Sequence, residues 1–170
     1  MAQGSPELIA ALGKIDPNQS YGTELFDALA RITVSVAVEA VCLRLNSRDI
    51  EVYMAQRSPT DTAYPGEWHC PGSVLRPGEE VADVFERLVK RELGRGLGSF
   101  RFIANVNHPT EGRGHFFSLV YLCALSSANE QRGKWFDVNH LPENTVESHR
   151  CRIIPSAVGA FVADHSEICS

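Results

Sequence analysis

Paired cysteines, long uncharged runs and an excess of basic charge are all missing from this 170-residue chain, and each absence excludes something. The five cysteines, Cys42, Cys70, Cys123, Cys151 and Cys169, are odd in number and widely spaced, with no CxxC pair. Nothing there suggests a cysteine-built zinc centre or a dithiol redox motif, and reduced thiols in a cytoplasmic protein are the simplest reading. Met1 to Ile15 lacks a basic segment followed by an apolar stretch, so no signal peptide is expected. The longest apolar-rich stretch, Ile32 to Leu45, is interrupted by Glu39 and Arg44, so no membrane span is expected either. Net charge is −5, which offers no general attraction to nucleic acid or to an anionic membrane; an anionic ligand must be drawn in by local arginines and lysines. Internal repeats and low-complexity tracts are absent too.

What is present is ordinary for one globular domain: 44% apolar and 22% charged residues, in a chain long enough to bury a core without disulfides. Helices are predicted at Pro6 to Leu12 and at Thr23 to Arg31, the second with Thr23 as N-cap and Leu25, Phe26, Leu29 and Ile32 on one face. Residues 1–31 read as a helical extension packed on a domain spanning 32–170. Val34 to Leu45 and Ile50 to Gln56 are strand-like, and Asn46-Ser47-Arg48-Asp49 between them has turn chemistry, which predicts a hairpin. Ser58 to Gly66, with two prolines, predicts an irregular loop leading to a short strand from Trp68 through Leu75. Val81, Val84, Phe85, Leu88 and Val89 recur at helical spacing within Glu80 to Leu93, and Gly94 follows as a stop. Strands are predicted at Phe100 to Val106, His115 to Leu125 and Lys134 to Val138, then helix within Pro142 to Val162, interrupted near Pro155. This order favours an α/β or α+β fold.

The chemistry is concentrated in Gly66 to Gly94, GEWHCPGSVLRPGEEVADVFERLVKRELG, where a glycine-rich loop, an acidic pair and an arginine-bearing helix follow one another. This segment resembles the Nudix box, whose pattern is G, five residues, E, seven residues, then R-E-U-x-E-E-x-G-U with U aliphatic. Ser73 stands at the first glycine, while Glu79, Arg87, Val89, Glu92 and Gly94 fit. Leu88 and Arg91 replace two of the three clustered glutamates, and Arg95 misses the last aliphatic place. A shifted register over Arg91-Glu92-Leu93 and Leu97-Gly98 needs four extra residues and is less favoured. Phe85-Glu86-Arg87-Leu88 with Glu92-Leu93-Gly94 looks like the altered box of GDP-mannose mannosyl hydrolases.

The resemblance, spanning roughly Val34 to Val138, implies an α/β/α sandwich around a mixed sheet with a loop-helix-loop box. It implies Mg²⁺, with Mn²⁺ as the alternative, held by the Gly72 carbonyl and Glu92, and with Gln131 as a loose match for a later-loop ligand. Glu79, Arg87 and Glu92 become the box residues of the catalytic site, with Arg87 bracing the loop through Glu79. Arg57, Arg113 and Gln131 become the substrate-binding set. The substrate would be a nucleoside diphosphate linked to another group, nucleotide sugars such as GDP-mannose first, without nucleic acid or membrane partners; family analogy suggests a homodimer. The branch's catalytic histidine has no counterpart, since Arg132 stands in its place, and His108 or Glu111 is a candidate base.

Plainer readings stand beside these. Glu79 and Glu80 suit a helix N-terminus, and Glu92 could be a solvated helix residue. Arg87 and Arg91, four apart, repel unless an acid or anion lies between them. Arg57 at a strand end is exposed by default, Trp68 and Cys70 read as buried, and His69, His140, His149 and His165 as surface or satisfied core. Loss of two glutamates also leaves open a non-catalytic nucleotide- or protein-binding module on the same scaffold.

Overall fold

The computed structural model describes residues 4–17, 19, 22–47, 49–94, 97–125 and 133–166, and among them the chain forms four α-helices and seven strands. Helix α1 (Pro6–Leu12) is capped by Ser5, whose side chain accepts from the Leu8 N–H, and it buries none of its residues. Helix α2 (Thr23–Ala30) docks through Phe26 against Phe116 and through Asp27 against Arg113.

The sheet is built around β1 (Val34–Asn46), which pairs antiparallel with β2 (Asp49–Gln56) at one end and with β4 (Gly72–Val74) at the other. Along its second edge β1 runs parallel to β6 (Gly114–Leu125), and β6 pairs antiparallel with β5 (Leu97–Glu111). The short strands β3 (Trp68–His69) and β7 (Lys134–Asp137) both pair with β2. The sheet is therefore mixed and the fold α+β. The predicted strand through Trp68 and Leu75 is two strands, because Cys70 and Pro71 step the chain from β2 to β1.

Strand alternation sends successive side chains to opposite faces. Val38, Ala40 and Cys42 face α3 (Val81–Leu88), with Val84, Phe85 and Leu88; Val41 and Leu43 face α4 (Ile154–Ser166), with Ala157 and Phe161. Full burial of such a side chain is worth roughly 1.5 to 3 kcal/mol, so these two layers fix the sandwich.

Three expectations are corrected. The helix predicted from Glu80 to Leu93 is α-helical only to Leu88, and Val89–Leu93 is a wider π turn ended by Gly94 at φ 73. The chain does not break near Pro155: a second π turn, His149–Ile153, runs directly into α4, so the missing N–H falls at the junction of two hydrogen-bonding patterns. The predicted loop around His108 and Glu111 is strand, because pairing with β6 extends β5 to Glu111 and leaves a tight turn at Gly112 and Arg113, absorbed by a bulge between His108 and Glu111. No helix among the described residues is long and apolar enough to cross a membrane.

Candidate functional site

Both π turns open onto one cavity of about 390 Å³, at the end of the sheet where β1, β4 and β6 meet α2. Most buried polar side chains of the described residues gather around it: Glu39, His108, Ser118 and His149 line it, and His69 adjoins it. An apolar core has no use for such a concentration, which marks a ligand site.

The predicted Glu79–Arg87 brace is formed. Arg87 donates from Nε to Glu79 Oε1 at 2.9 Å and from Nη2 to Glu79 Oε2 at 2.6 Å, and it also reaches Ser73 Oγ at 2.8 Å and the Val74 carbonyl at 3.0 Å. These contacts hold the glycine loop against α3, and Arg87 with the Arg76 N–H keeps the Glu79 carboxyl below the usual range although burial opposes it. Glu80, by contrast, is the N-cap of α3, its N–H donating to Asp83 Oδ2 at 2.8 Å.

Glu92 is not a solvated helix residue. Its side chain is only 15% exposed, with Oε1 3.8 Å from Arg91 Nη2 and Oε2 3.8 Å from His69 Nε2, beyond hydrogen-bonding reach. Glu92 Oε2 is buried without a hydrogen-bond partner, and burial pushes the carboxyl pKa up against the pull of Arg91 and Arg57. The Gly72 N–H donates to the same carboxylate and opposes the effect of burial. Gly72 and Glu92, the two ligands implied from the sequence, are thus adjacent, and an orphaned carboxylate oxygen suits a hard divalent cation. Among the described residues no set of three or more His, Cys, Asp or Glu side chains forms a ready-made metal centre. Gln131, Arg132 and Arg95 lie outside the described residues.

Sequence reasoning passed over Glu39. It sits in mid-β1 at 7% exposure, its Oε1 accepting from Ser118 Oγ at 3.2 Å, and burial pushes its carboxyl up to about 7 despite Arg57. A Cβ added to Gly72 would stand 2.0 Å from Glu39 Oε2 and 2.9 Å from its Cδ, so the glycine makes room for this carboxylate. The available signal was a lone acid in an otherwise apolar strand.

The arginines divide. Arg113 is committed to Asp27 at 3.3 Å and to Asp61 at 2.8 Å, stapling α2 to the loop after β2. Arg57 has a looser pair with Asp61 at 3.4 Å and lies over the Tyr64 ring at 5.5 Å, and the Nε of each arginine is buried without a hydrogen-bond partner. Burial works to raise the pKa of Asp61, but the Tyr64 and Ala63 N–H groups and both arginines hold it at about 2. Opposite them Tyr64 donates to Glu111, whose other oxygen is 3.6 Å from His108 Nδ1; burial and that carboxylate push the Tyr64 hydroxyl to about 12. Of the candidate bases, Glu111 accepts from Tyr64 through one oxygen, while His108 keeps a buried, unpartnered Nε2. His69 is buried but unsatisfied at Nδ1, and burial lowers it to about 3. His149 is a satisfied core residue, accepting from the Cys70 N–H at 3.1 Å.

The model of the NUDIX domain matches residues 35–155. The chain belongs to the Nudix family. Its fold is similar to the NUDIX domain of Shewanella oneidensis NrtR complexed with ADP ribose, at 17% identity and TM-score 0.63 over 90% of this chain and 97% of that one. A NUDIX hydrolase from Nitrosomonas europaea is similar at 17% identity and TM-score 0.59, over 78% of this chain and 90% of that one. NrtR complexed with a 27mer DNA is similar at 17% identity and TM-score 0.61 over 75% of this chain, which covers 62% of that protein. No curated protein matches. None of these likenesses singles out the GDP-mannose mannosyl hydrolase branch.

Within this Nudix domain the crowding at Gly72 is directly testable. Gly72→Ala keeps the main-chain carbonyl but drives Glu39 aside, and it is expected to lower substrate turnover, or ligand affinity if there is no turnover, by about 100-fold at a stability cost of about 1 to 3 kcal/mol. Gly66→Ala, at φ 72 with nothing within 4 Å of the new Cβ, should cost about 1 to 2 kcal/mol and leave the site unchanged. Matching ligand affinities in the two variants, measured calorimetrically, would show that Glu39 has no bearing on the site.

Proposed function

We propose that this Nudix domain is a divalent-cation-dependent hydrolase of a nucleoside diphosphate linked to another group. The observation that carries the reading is the buried, unpartnered Glu92 Oε2, whose carboxylate lies against Gly72, a residue lining the cavity into which the buried, unpartnered Nε of Arg57 also falls. An orphaned carboxylate oxygen and an orphaned guanidinium N–H are costly to bury without ligands, and a cation bound to a diphosphate satisfies both. Mg²⁺ or Mn²⁺ held by Glu92 and the Gly72 carbonyl supplies charge neutralisation and polarisation of the diphosphate. Arg57 contacts phosphate oxygen, Arg87 and Glu79 fix the loop that presents Gly72, and Arg113 shapes the wall rather than binding phosphate. His108, with Nε2 free and burial favouring its neutral form, is the better placed of the two candidate bases.

Nucleotide sugars such as GDP-mannose come from the box resemblance, and ADP-ribose joins them because a NUDIX domain of similar fold was solved with it. The homodimer is carried forward from family analogy. One observation favours the rival, a binding module without turnover: Leu88 is fully buried in the core, so one of the family's carboxylate positions has been given over to packing.

The test is phosphorus and proton NMR of the wild type with Mg²⁺, nucleotide sugars, ADP-ribose and dinucleoside polyphosphates in ¹⁸O-labelled water. Turnover that falls about 100-fold in Glu92→Gln supports the hydrolase. Label on the sugar would mean carbon–oxygen cleavage, and label on phosphate attack at phosphorus. A folded wild type that binds these compounds and turns over none of them favours the binding module.

A further inference from the structure

We propose that Glu39 of β1 is an oxygen ligand of the divalent cation, together with Glu92 and the Gly72 carbonyl, a strand carboxylate replacing the box glutamates that this chain lacks. The inference rests on the metal-dependent reading above and deepens it.

Glu39 lies between Val38, Ala40 and Val41, all fully buried. Placing a carboxylate there costs several kcal/mol unless it is compensated, and a single hydroxyl at 3.2 Å is poor compensation. Arg57, the cation that most influences it, pairs with Asp61 instead. A carboxylate held at that cost with one hydroxyl for a partner indicates a further partner that arrives with the ligand.

Gly72 gives the position of that partner. It is the cross-strand neighbour of Glu39 in the β1–β4 pair, and the Glu39 carboxylate occupies the space that a side chain on residue 72 would fill. The Gly72 N–H also donates to the Glu92 carboxylate, whose Oε2 is buried and unpartnered. Two buried carboxylates, Glu39 from β1 and Glu92 from the π turn after α3, therefore converge on Gly72 of β4. Like charges in this arrangement repel, and a hard divalent cation turns the repulsion into attraction. Mg²⁺ commonly takes one or two protein carboxylates and completes its shell with water and substrate phosphate, which matches this donor set without a third acid.

The experiment is Mn²⁺ binding to the full chain by electron paramagnetic resonance, with thermal unfolding in Mn²⁺ and in EDTA, for wild type, Glu39→Gln, Glu39→Asp, Glu92→Gln and the distant control Glu51→Gln. The expected result is a Kd raised at least about tenfold by Glu39→Gln and by Glu92→Gln, with Glu51→Gln unchanged. In EDTA, Glu39→Gln should melt at or above the wild-type temperature, since it removes a buried charge, and it should lose the Mn²⁺-induced rise. Glu39→Asp retracts the carboxylate by one methylene and should also weaken binding, which keeps the test decisive if the glutamine variant folds poorly. Wild-type Mn²⁺ affinity in both Glu39 variants, with loss in Glu92→Gln, would overturn the Glu39 assignment and leave the metal-dependent reading standing. Absence of Mn²⁺ binding by the wild type, alone and with ADP-ribose, would overturn both.

Discussion

Restoring the family's glutamate at position 88 is expected to unfold the domain rather than strengthen its chemistry. Leu88 is fully buried and packs with Val84, Phe85 and Leu93 beneath β1. Leu88→Glu forfeits about 2 to 3 kcal/mol of apolar burial and brings a carboxyl into a layer whose polar atoms are already engaged. One such group in the same cluster, the Tyr53 hydroxyl, donates to the Glu92 carbonyl at 3.1 Å and accepts from the Gly133 N–H at 2.6 Å. With the cost of an unsatisfied carboxyl added, the loss should be about 4 kcal/mol or more, seen as a fall in the urea midpoint. Arg91→Glu makes the contrast, because that side chain is 60% exposed at the cavity rim and its replacement should leave stability within about 1 kcal/mol. If Leu88→Glu were as stable as the wild type, α3 would have to be turned so that position 88 faces solvent. The two departures from the family pattern are therefore unlike: one has become core, and the other lies where a carboxylate could still be accepted.

That difference was invisible in the sequence, where Leu88 and Arg91 are simply two missing acids. The structure separates them because a π turn begins after Leu88 and changes the direction in which Arg91 and Glu92 point, and neither Val89 nor Lys90 signals such a turn. Legibility followed the range of the interaction. The Glu79–Arg87 brace could be read from spacing, since both partners belong to one loop-helix unit, and the β1–β2 hairpin from its turn residues. Strand β5 was cut short in prediction because Asn107, His108, Pro109 and Thr110 have loop chemistry, yet the partner strand holds them extended. Glu39 was the costliest omission. Its role depends on Gly72 and Ser118, which reach it only through the β1–β4 and β1–β6 pairings, and a strand on its own does not disclose its neighbours. Arg57 and Arg113 look equivalent as phosphate contacts in the sequence, and only the positions of the acids show that Arg113 has the closer pair with Asp61 and a second acid in Asp27.

The buried titratable groups around the cavity should also give the metal-free protein an asymmetric pH–stability profile, steep on the acid side. Burial lowers His69 from its usual 6.5 to about 3, so as pH falls below 6.5 the unfolded chain gains a proton that the folded one refuses. Stability is lost progressively from pH 6.5 toward 3, by about 4 kcal/mol for this group alone, and His149, also lowered by burial, adds in the same direction. Asp61, held at about 2 against its usual 3.8, contributes stability that is present above 3.8 and lost as pH falls toward 2. Glu39 acts in the opposite sense. Its carboxyl, raised from 4.5 to about 7, keeps a proton that the unfolded chain releases, so its contribution declines as pH rises from 4.5 to 7. Between pH 4.5 and 6.5 Glu39 offsets one of the two histidines, and below 4.5 it opposes neither. Urea unfolding in EDTA should therefore show stability falling from pH 6.5 to 4.5 and falling more steeply below 4.5. Glu39→Gln should be more stable than the wild type by about 3 kcal/mol at pH 8, with the advantage gone by pH 4.5. A constant difference between the two proteins across that range would mean that the Glu39 carboxyl titrates alike in the folded and unfolded states, which its position in the strand does not allow.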